Sequence, residues 1–145
     1  MEKALSNWNS PSVPLVVAVQ TESQLSELGE IGQALSRELA FMKYPEFQTY
    51  INIENIANSF PDNPKRGVAA VSKHEIGHRF CPYDTVTSII LRHAIRKELE
   101  GKEIPYSKDA ASNLILNLFT DTCINTNLAR KNEEDIVWAY QQLSK

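Results

Sequence analysis

GVAAVSKHEIGHRF, Gly67 to Phe80, is the stretch on which the reading of this chain turns. Its pattern fits a helix that stops before Pro82, because a residue preceding proline is pushed out of the helical region. Within it His74, Glu75, Ile76, Gly77 and His78 spell H-E-x-x-H. Two residues four apart on a helix share a face one turn apart, so both imidazoles can reach one metal ion. Zinc takes neutral imidazole nitrogens readily, and a catalytic site leaves a position for water, whose pKa falls to about 7 when bound. Glu75 stands beside that position as a general base. The chain has only 3 histidines, so an accidental pair at this spacing around a glutamate is uncommon. Val71, Ser72 and Phe80 suit a partly buried helix, while Lys73 and Arg79 put charge against the motif.

Two imidazoles and a base are an incomplete zinc site, and the remaining carboxylates and histidine of the chain are the candidates for a third ligand. Asp84 is an N-cap for a helix to about Leu99, before Gly101. Lys108 or Asp109 opens another to Leu128, and Asn132 caps a last one carrying Ile136, Val137, Tyr140 and Leu143. Asp121 lies among Leu114, Leu118, Ile124 and Leu128, and a carboxylate on such an apolar face needs a cation to offset desolvation. Asn117 and Asn125, four residues to either side, extend a polar ladder that could orient ligand and substrate. His93 is the rival. It falls on the stripe Val86, Ile89, Ile90, Ala94, which places it inward as a hydrogen-bonded core histidine, a ligand, a partner of a ligand, or a transition-state donor. Asp121 is the preferred choice. Glu98, Glu100 and Glu103 read as solvated, and Arg92 with Arg96 as a surface ion-pairing set. Tyr50, Tyr83 and Tyr106 are all candidate donors to a tetrahedral intermediate.

Upstream, Ser59 to Gly67 (SFPDNPKRG) concentrates turn formers and reads as a loop into the motif helix. Phe47 to Ile53 (FQTYINI) reads as an edge or near-edge strand. Thr21 is an N-cap with Gln24 three residues on, and Leu25, Leu28, Ile31, Leu35, Leu39 and Met42 recur at helical spacing, which predicts one long helix from Glu22 to Met42 despite Gly29 and Gly32. Val13 to Val19 is too short an apolar run for a helix and reads as a buried strand, preceded by a loose polar arm over residues 1–12. The expected fold is a small α+β domain, mainly helical, with a short sheet from the N-terminal half and one domain over residues 13–145.

Composition sets the outer limits. At 145 residues and 42% hydrophobic content the chain supports one core. Fifteen basic against 18 acidic residues, net charge -3, with no basic stripe, argue against nucleic acid as a partner. No apolar run reaches membrane-spanning length and no signal core follows the N-terminus, so a cytoplasmic protein is expected. Two cysteines, Cys81 and Cys123, are too few for a disulfide framework and are expected as packed free thiols.

On the motif His74-Glu75-x-x-His78 the chain resembles the zincin metallopeptidases. With its later Asp and Asn it also resembles microbial metallopeptidases associated with von Willebrand A-type partners. The resemblance implies zinc held by His74 and His78, base catalysis by Glu75, a third ligand from a later helix or loop, and a peptide or protein substrate. That substrate is expected to add as a strand along Tyr50 to Ile53. The competing expectation is a zinc-stabilised binding or regulatory module that cleaves nothing, a protein partner in a larger assembly.

Overall fold

The computed structural model describes residues 16–43, 46–81, 85–131 and 134–144. The expected arm over residues 1–12, the beginning of the strand at Val13, and Tyr83, Asp84 and Asn132 lie outside these residues. Three short strands, β1 (Val16–Val19), β2 (Ala40–Lys43) and β3 (Gln48–Asn52), form one sheet in the order β1-β3-β2. β1 runs parallel to β3 with Val17 opposite Tyr50, and β2 runs antiparallel with Phe41 opposite the same tyrosine. The strand expected at an edge is therefore the central one. Thr49, Tyr50, Ile51 and Asn52 are all buried, and β3 has no free edge to offer a peptide.

The missing neighbour was concealed inside the expected long helix. The chain instead makes α1 (Glu22–Glu27) and α2 (Glu30–Leu35), then turns into β2. The start is as read: Thr21 Oγ1 accepts from the Gln24 amide at 3.3 Å, and Gln24 Oε1 accepts from the Gln20 amide at 2.8 Å. The break comes at Gly29, whose φ of 58° lies in the left-handed region that favours glycine. Gly32 lets the two helices close on each other, since a Cβ there would stand 1.7 Å from the Leu25 carbonyl oxygen. Leu25, Leu28 and Ile31 still pack with Val19, Leu35 and Tyr50, so the apolar stripe served one core through two helices.

Asn52 ends β3 and caps α3 (Ile53–Ser59), a helix the sequence reading did not foresee: its Oδ1 accepts from the Asn55 amide at 3.0 Å. Its Nδ2 donates to the Leu35 carbonyl at 3.2 Å, and Asn55 Nδ2 donates to the carbonyls of Ser36 and Glu38 at 3.1 and 2.9 Å. These two amides fasten the bend between α2 and β2. The motif helix α4 (Pro64–Gly77) begins three residues earlier than expected, with Pro64 in its first turn and Asn63 Oδ1 accepting from the Arg66 amide at 3.1 Å. Then follow α5 (Thr85–Glu98), α6 (Lys108–Arg130), capped by Ser107, and α7 (Glu134–Leu143). The main core joins Ile51, Ile56, Phe60 and Ala70 to Ile124 and Leu128 of α6 and Ile136 and Ala139 of α7.

The architecture is α+β, helix-rich with a small N-terminal mixed sheet. Among the described residues no helix is long and apolar enough to cross a membrane. Two burial expectations are corrected. Val86, Ile89, Ile90 and His93 of α5 are exposed, because α5 lies along α6 at the side of the fold and its apolar stripe does not reach the core. Leu114 and Leu118 are exposed too, while Ile124 and Leu128 of the same expected face are buried; in the first half of α6 the buried positions are Leu116 and Thr120 instead.

Candidate metal centre

α4 is held to the fold by the charges that flank the motif. Lys73 is only 2% exposed, and its Nζ meets Asp135 Oδ2 of α7 at 2.9 Å; Arg66 Nε meets Oδ1 of the same carboxylate at 2.8 Å. The Arg66 guanidinium also lies 4.8 Å from the centre of the Trp138 ring. The lysine that looked like charge pressed against the motif is thus the clamp that sets the rotation of α4 and turns His74 and Glu75 toward the cleft.

His78 is the residue that closes α4, yet keeps helical angles (φ -59°, ψ -21°), so the four-residue spacing of the imidazoles survives. The rings meet edge to face, centroids 5.0 Å apart. His74 Nε2 and His78 Nε2 each lie 3.4 Å from Asp121 Oδ1 on α6, and the three ligand atoms all fall within 4.8 Å of one another. Four ligands arranged tetrahedrally about zinc at about 2.0–2.1 Å stand roughly 3.3–3.4 Å apart, so two edges of the required tetrahedron are already present. Among the described residues this is the only such group of His, Cys, Asp and Glu. His93, on the exposed side of α5, has no place in it. Asp121 arrives here although its side chain is 39% exposed; the burial argument for it was mistaken, and what brings it in is the packing of α6 across α4.

Asn125, one turn beyond Asp121, accepts through Oδ1 from His74 Nδ1 at 2.9 Å; since an amide oxygen only accepts, Nδ1 carries a proton, and Nε2 is the ring nitrogen turned toward Asp121. Asn125 Nδ2 in turn donates to the Tyr140 hydroxyl at 2.6 Å. Asn117 lines the cleft beside His78. The polar ladder Asn117, Asp121, Asn125 therefore faces the motif along one side of α6.

The electrostatics follow from burial and from the shared carboxylate. Burial drives the Glu75 carboxyl up to about 7; the neighbouring His74 opposes this, and Asp121 and Glu38 add to it. Burial disfavours charge on both imidazoles. For His74 the Asp121 hydrogen bond, the Glu75 charge and Asn125 outweigh it and raise its pKa. His78 has the same carboxylate oxygen but a charged neighbour in His74, so burial and that neighbour push it down to about 4. The two imidazoles therefore differ, a proton being favoured on His74 and disfavoured on His78. Although burial works against it, the Asp121 carboxyl is lowered, by its hydrogen bond from His74 and the charge of both imidazoles.

Two cavities meet at this group. One, of about 380 Å3, runs between Phe60, Val71, Ile136 and Leu143, with apolar side chains on these walls and polar ones at the metal group. The other, of about 500 Å3, is walled by Ala40, Phe41 and Met42 of β2 together with His78 and Asn117. Glu38, His74, Glu75 and Asp121 line both. Glu38 and Tyr140 were not foreseen: Glu38 stood inside an apparent helix, and Tyr140 in an apolar helical repeat, with no local signal to set either apart. Of the other candidates, Tyr50 is buried in the smaller core against Phe41, Tyr106 is exposed, and Arg96 pairs with Asp109 at 3.0 Å on the surface. Cys81 and Cys123 are free thiols, partly buried and hydrogen-bonded to each other across the turn after α4 and the middle of α6.

Compared with family models, with curated proteins and with solved structures, the chain matches none of them.

Proposed function

We propose that this protein is a zinc-dependent peptide hydrolase in which His74, His78 and Asp121 hold the metal and Glu75 is the general base. The observation that carries the reading is the set of 3.4 Å separations to one Asp121 oxygen, with a buried carboxyl beside it whose pKa is about 7. The donor set of two neutral imidazole nitrogens and one carboxylate oxygen suits zinc, and three protein ligands leave a coordination position open, whereas structural zinc sites are closed by four. Zinc bound there supplies Lewis acidity and acidifies a coordinated water.

The chain's own residues do the remainder. Glu75 takes the proton of the attacking water and returns it to the leaving amine, and a pKa near the working pH serves both transfers. Asn125 keeps the proton of His74 on Nδ1. β2, the sheet edge that forms one wall of the cleft, aligns an extended peptide by strand addition, in place of the central β3. The apolar walls of the cavity between Phe60 and Leu143 receive a hydrophobic side chain next to the scissile bond.

Elemental analysis of the purified protein after zinc is supplied tests the reading, run beside His74→Ala, Asp121→Ala and His93→Ala. One zinc per chain is expected for the parent and for His93→Ala, and none for the other two. Glu75→Gln must keep its zinc and lose peptide cleavage. Retained turnover in Glu75→Gln refutes the assignment of the base, and absence of zinc from the parent refutes the reading as a whole. The second reading, a zinc-stabilised binding module, is distinguished by the same variant, because a site that only holds structure has no use for a base.

A further inference from the structure

Among the described residues no lysine or arginine lines either cavity that meets at the metal group, while both are lined by the three carboxyl residues Glu38, Glu75 and Asp121. A divalent ion balances two of those charges. Glu38 is the one left over. Its side chain is exposed at the junction of the two cavities, and no described residue makes an ion pair with it. It is not a loose surface group: its own carbonyl and that of Ser36 accept from Asn55 Nδ2 of α3, and the Leu39 carbonyl accepts from the Asn52 amide at the end of β3 at 2.9 Å, so the backbone is fastened on both sides. Glu75, only 8% exposed, opens into the same space with no hydrogen bond from any described side chain, which marks the junction as a place where a ligand is expected.

We propose that Glu38 selects substrates that present a cationic nitrogen, an ammonium or a guanidinium, close to the scissile carbonyl. The inference rests on the hydrolase reading and adds to it the class of substrate. A carboxylate with no ion-pair partner among the described residues, held at the mouth of the cleft, attracts a cation and repels an anion, so a free C-terminal carboxylate or an acidic side chain next to the bond is disfavoured. The cationic nitrogen has two sources: the free α-amino group of a peptide, which makes the protein trim from the N-terminus, or a lysine or arginine side chain within a chain. The weight of one unit charge at roughly 6 Å in an effective dielectric of about 40 corresponds to about a tenfold preference.

The test uses zinc-loaded protein and four hydroxamates, whose chelating group anchors each at the metal: those of lysine, norleucine, Nα-acetyl-lysine and Nα-acetyl-norleucine. Affinities are measured by isothermal titration for the parent and for Glu38→Gln, whose zinc content is checked. The cationic probes are expected to bind the parent about tenfold tighter than Nα-acetyl-norleucine hydroxamate and to lose that advantage in Glu38→Gln. An advantage confined to probes with a free α-amine identifies the chain terminus as the source; one confined to lysine probes identifies the side chain. Equal binding of all four by a protein that holds zinc overturns the proposal and leaves the hydrolase reading standing, as does a preference that persists in Glu38→Gln. A parent that takes up no zinc refutes the hydrolase reading and the proposal with it.

Discussion

Replacing Glu75 by glutamine is expected to stabilise the metal-free protein at neutral and alkaline pH while abolishing its chemistry. Burial raises the carboxyl from its usual 4.5 to about 7. Below the unfolded value both states hold the proton, and the group contributes its full stability. Between 4.5 and 7 the unfolded chain releases the proton while the fold retains it, so stability falls as pH rises, and above about 7 the loss is complete. A shift of about 2.5 units at about 1.4 kcal/mol each makes that loss about 3 kcal/mol. Glutamine, neutral and nearly isosteric, escapes it. The melting temperature of Glu75→Gln at pH 8 should exceed the parent's by about 10 °C, since 1 kcal/mol moves a domain of this size by roughly 3–4 °C, and the two should converge near pH 4. Chelator-treated protein followed by circular dichroism across pH 4 to 9 measures the difference, and comparing the two proteins at each pH cancels the other titrating groups to first order. Coincident melts at every pH, or a gap of the same size at pH 4 as at pH 8, would show that the buried carboxyl carries no ionisation penalty and would remove the physical basis for calling it a base tuned to neutral pH. A residue that costs stability and persists in the cleft is what a functional site, as opposed to a packing position, is expected to contain.

Two further outcomes follow from the geometry. Asn125→Ala should weaken zinc binding by about 10–100-fold in competition with a chelating dye while leaving the melt of the metal-free protein nearly unchanged, because the amide orients His74 and buries little surface of its own; unaltered affinity would deny it that role. The paired thiols Cys81 and Cys123 should form an intramolecular disulfide on exposure to excess oxidised glutathione, two thiols being oxidised as one glutathione disulfide is reduced to two glutathiones. Intact mass after alkylation reads the outcome, and two fully alkylated cysteines after prolonged exposure would show that their side chains cannot reach bonding geometry.

How far the sequence reached can be traced residue by residue. The caps at Thr21 and the stop near Gly101 were legible because each depends on a few neighbouring residues and on the steric freedom of one glycine. Gly29 was seen as a weakness but not as a break. Apolar spacing continued through it, and Leu39 and Met42 obeyed the helical period by coincidence while folding as the bend and strand of β2. Once β2 was lost to a helix, β3 had to be read as an edge, and strand addition was expected along a strand whose two edges are both paired. The burial of α5 failed for a related reason: periodicity shows that a helix has an apolar face, and cannot show whether anything covers it.

For the site itself, the sequence alone determined the pair of imidazoles and the carboxyl between them, since a four-residue spacing on a helix is local geometry that any fold preserves. It also narrowed the candidates for a third ligand to two residues. Only the tertiary structure decided that Asp121 reaches His74 and His78 while His93 faces outward, that Asn125 and Tyr140 form a chain behind His74, and that Glu38 borders the cleft. These placements depend on the rotation of α6 and α5 about their axes and on the path of the chain after Gly29. Rotation is set by which side chains interdigitate across elements distant in sequence, and no local pattern of hydrophobicity, charge or capping contains that information.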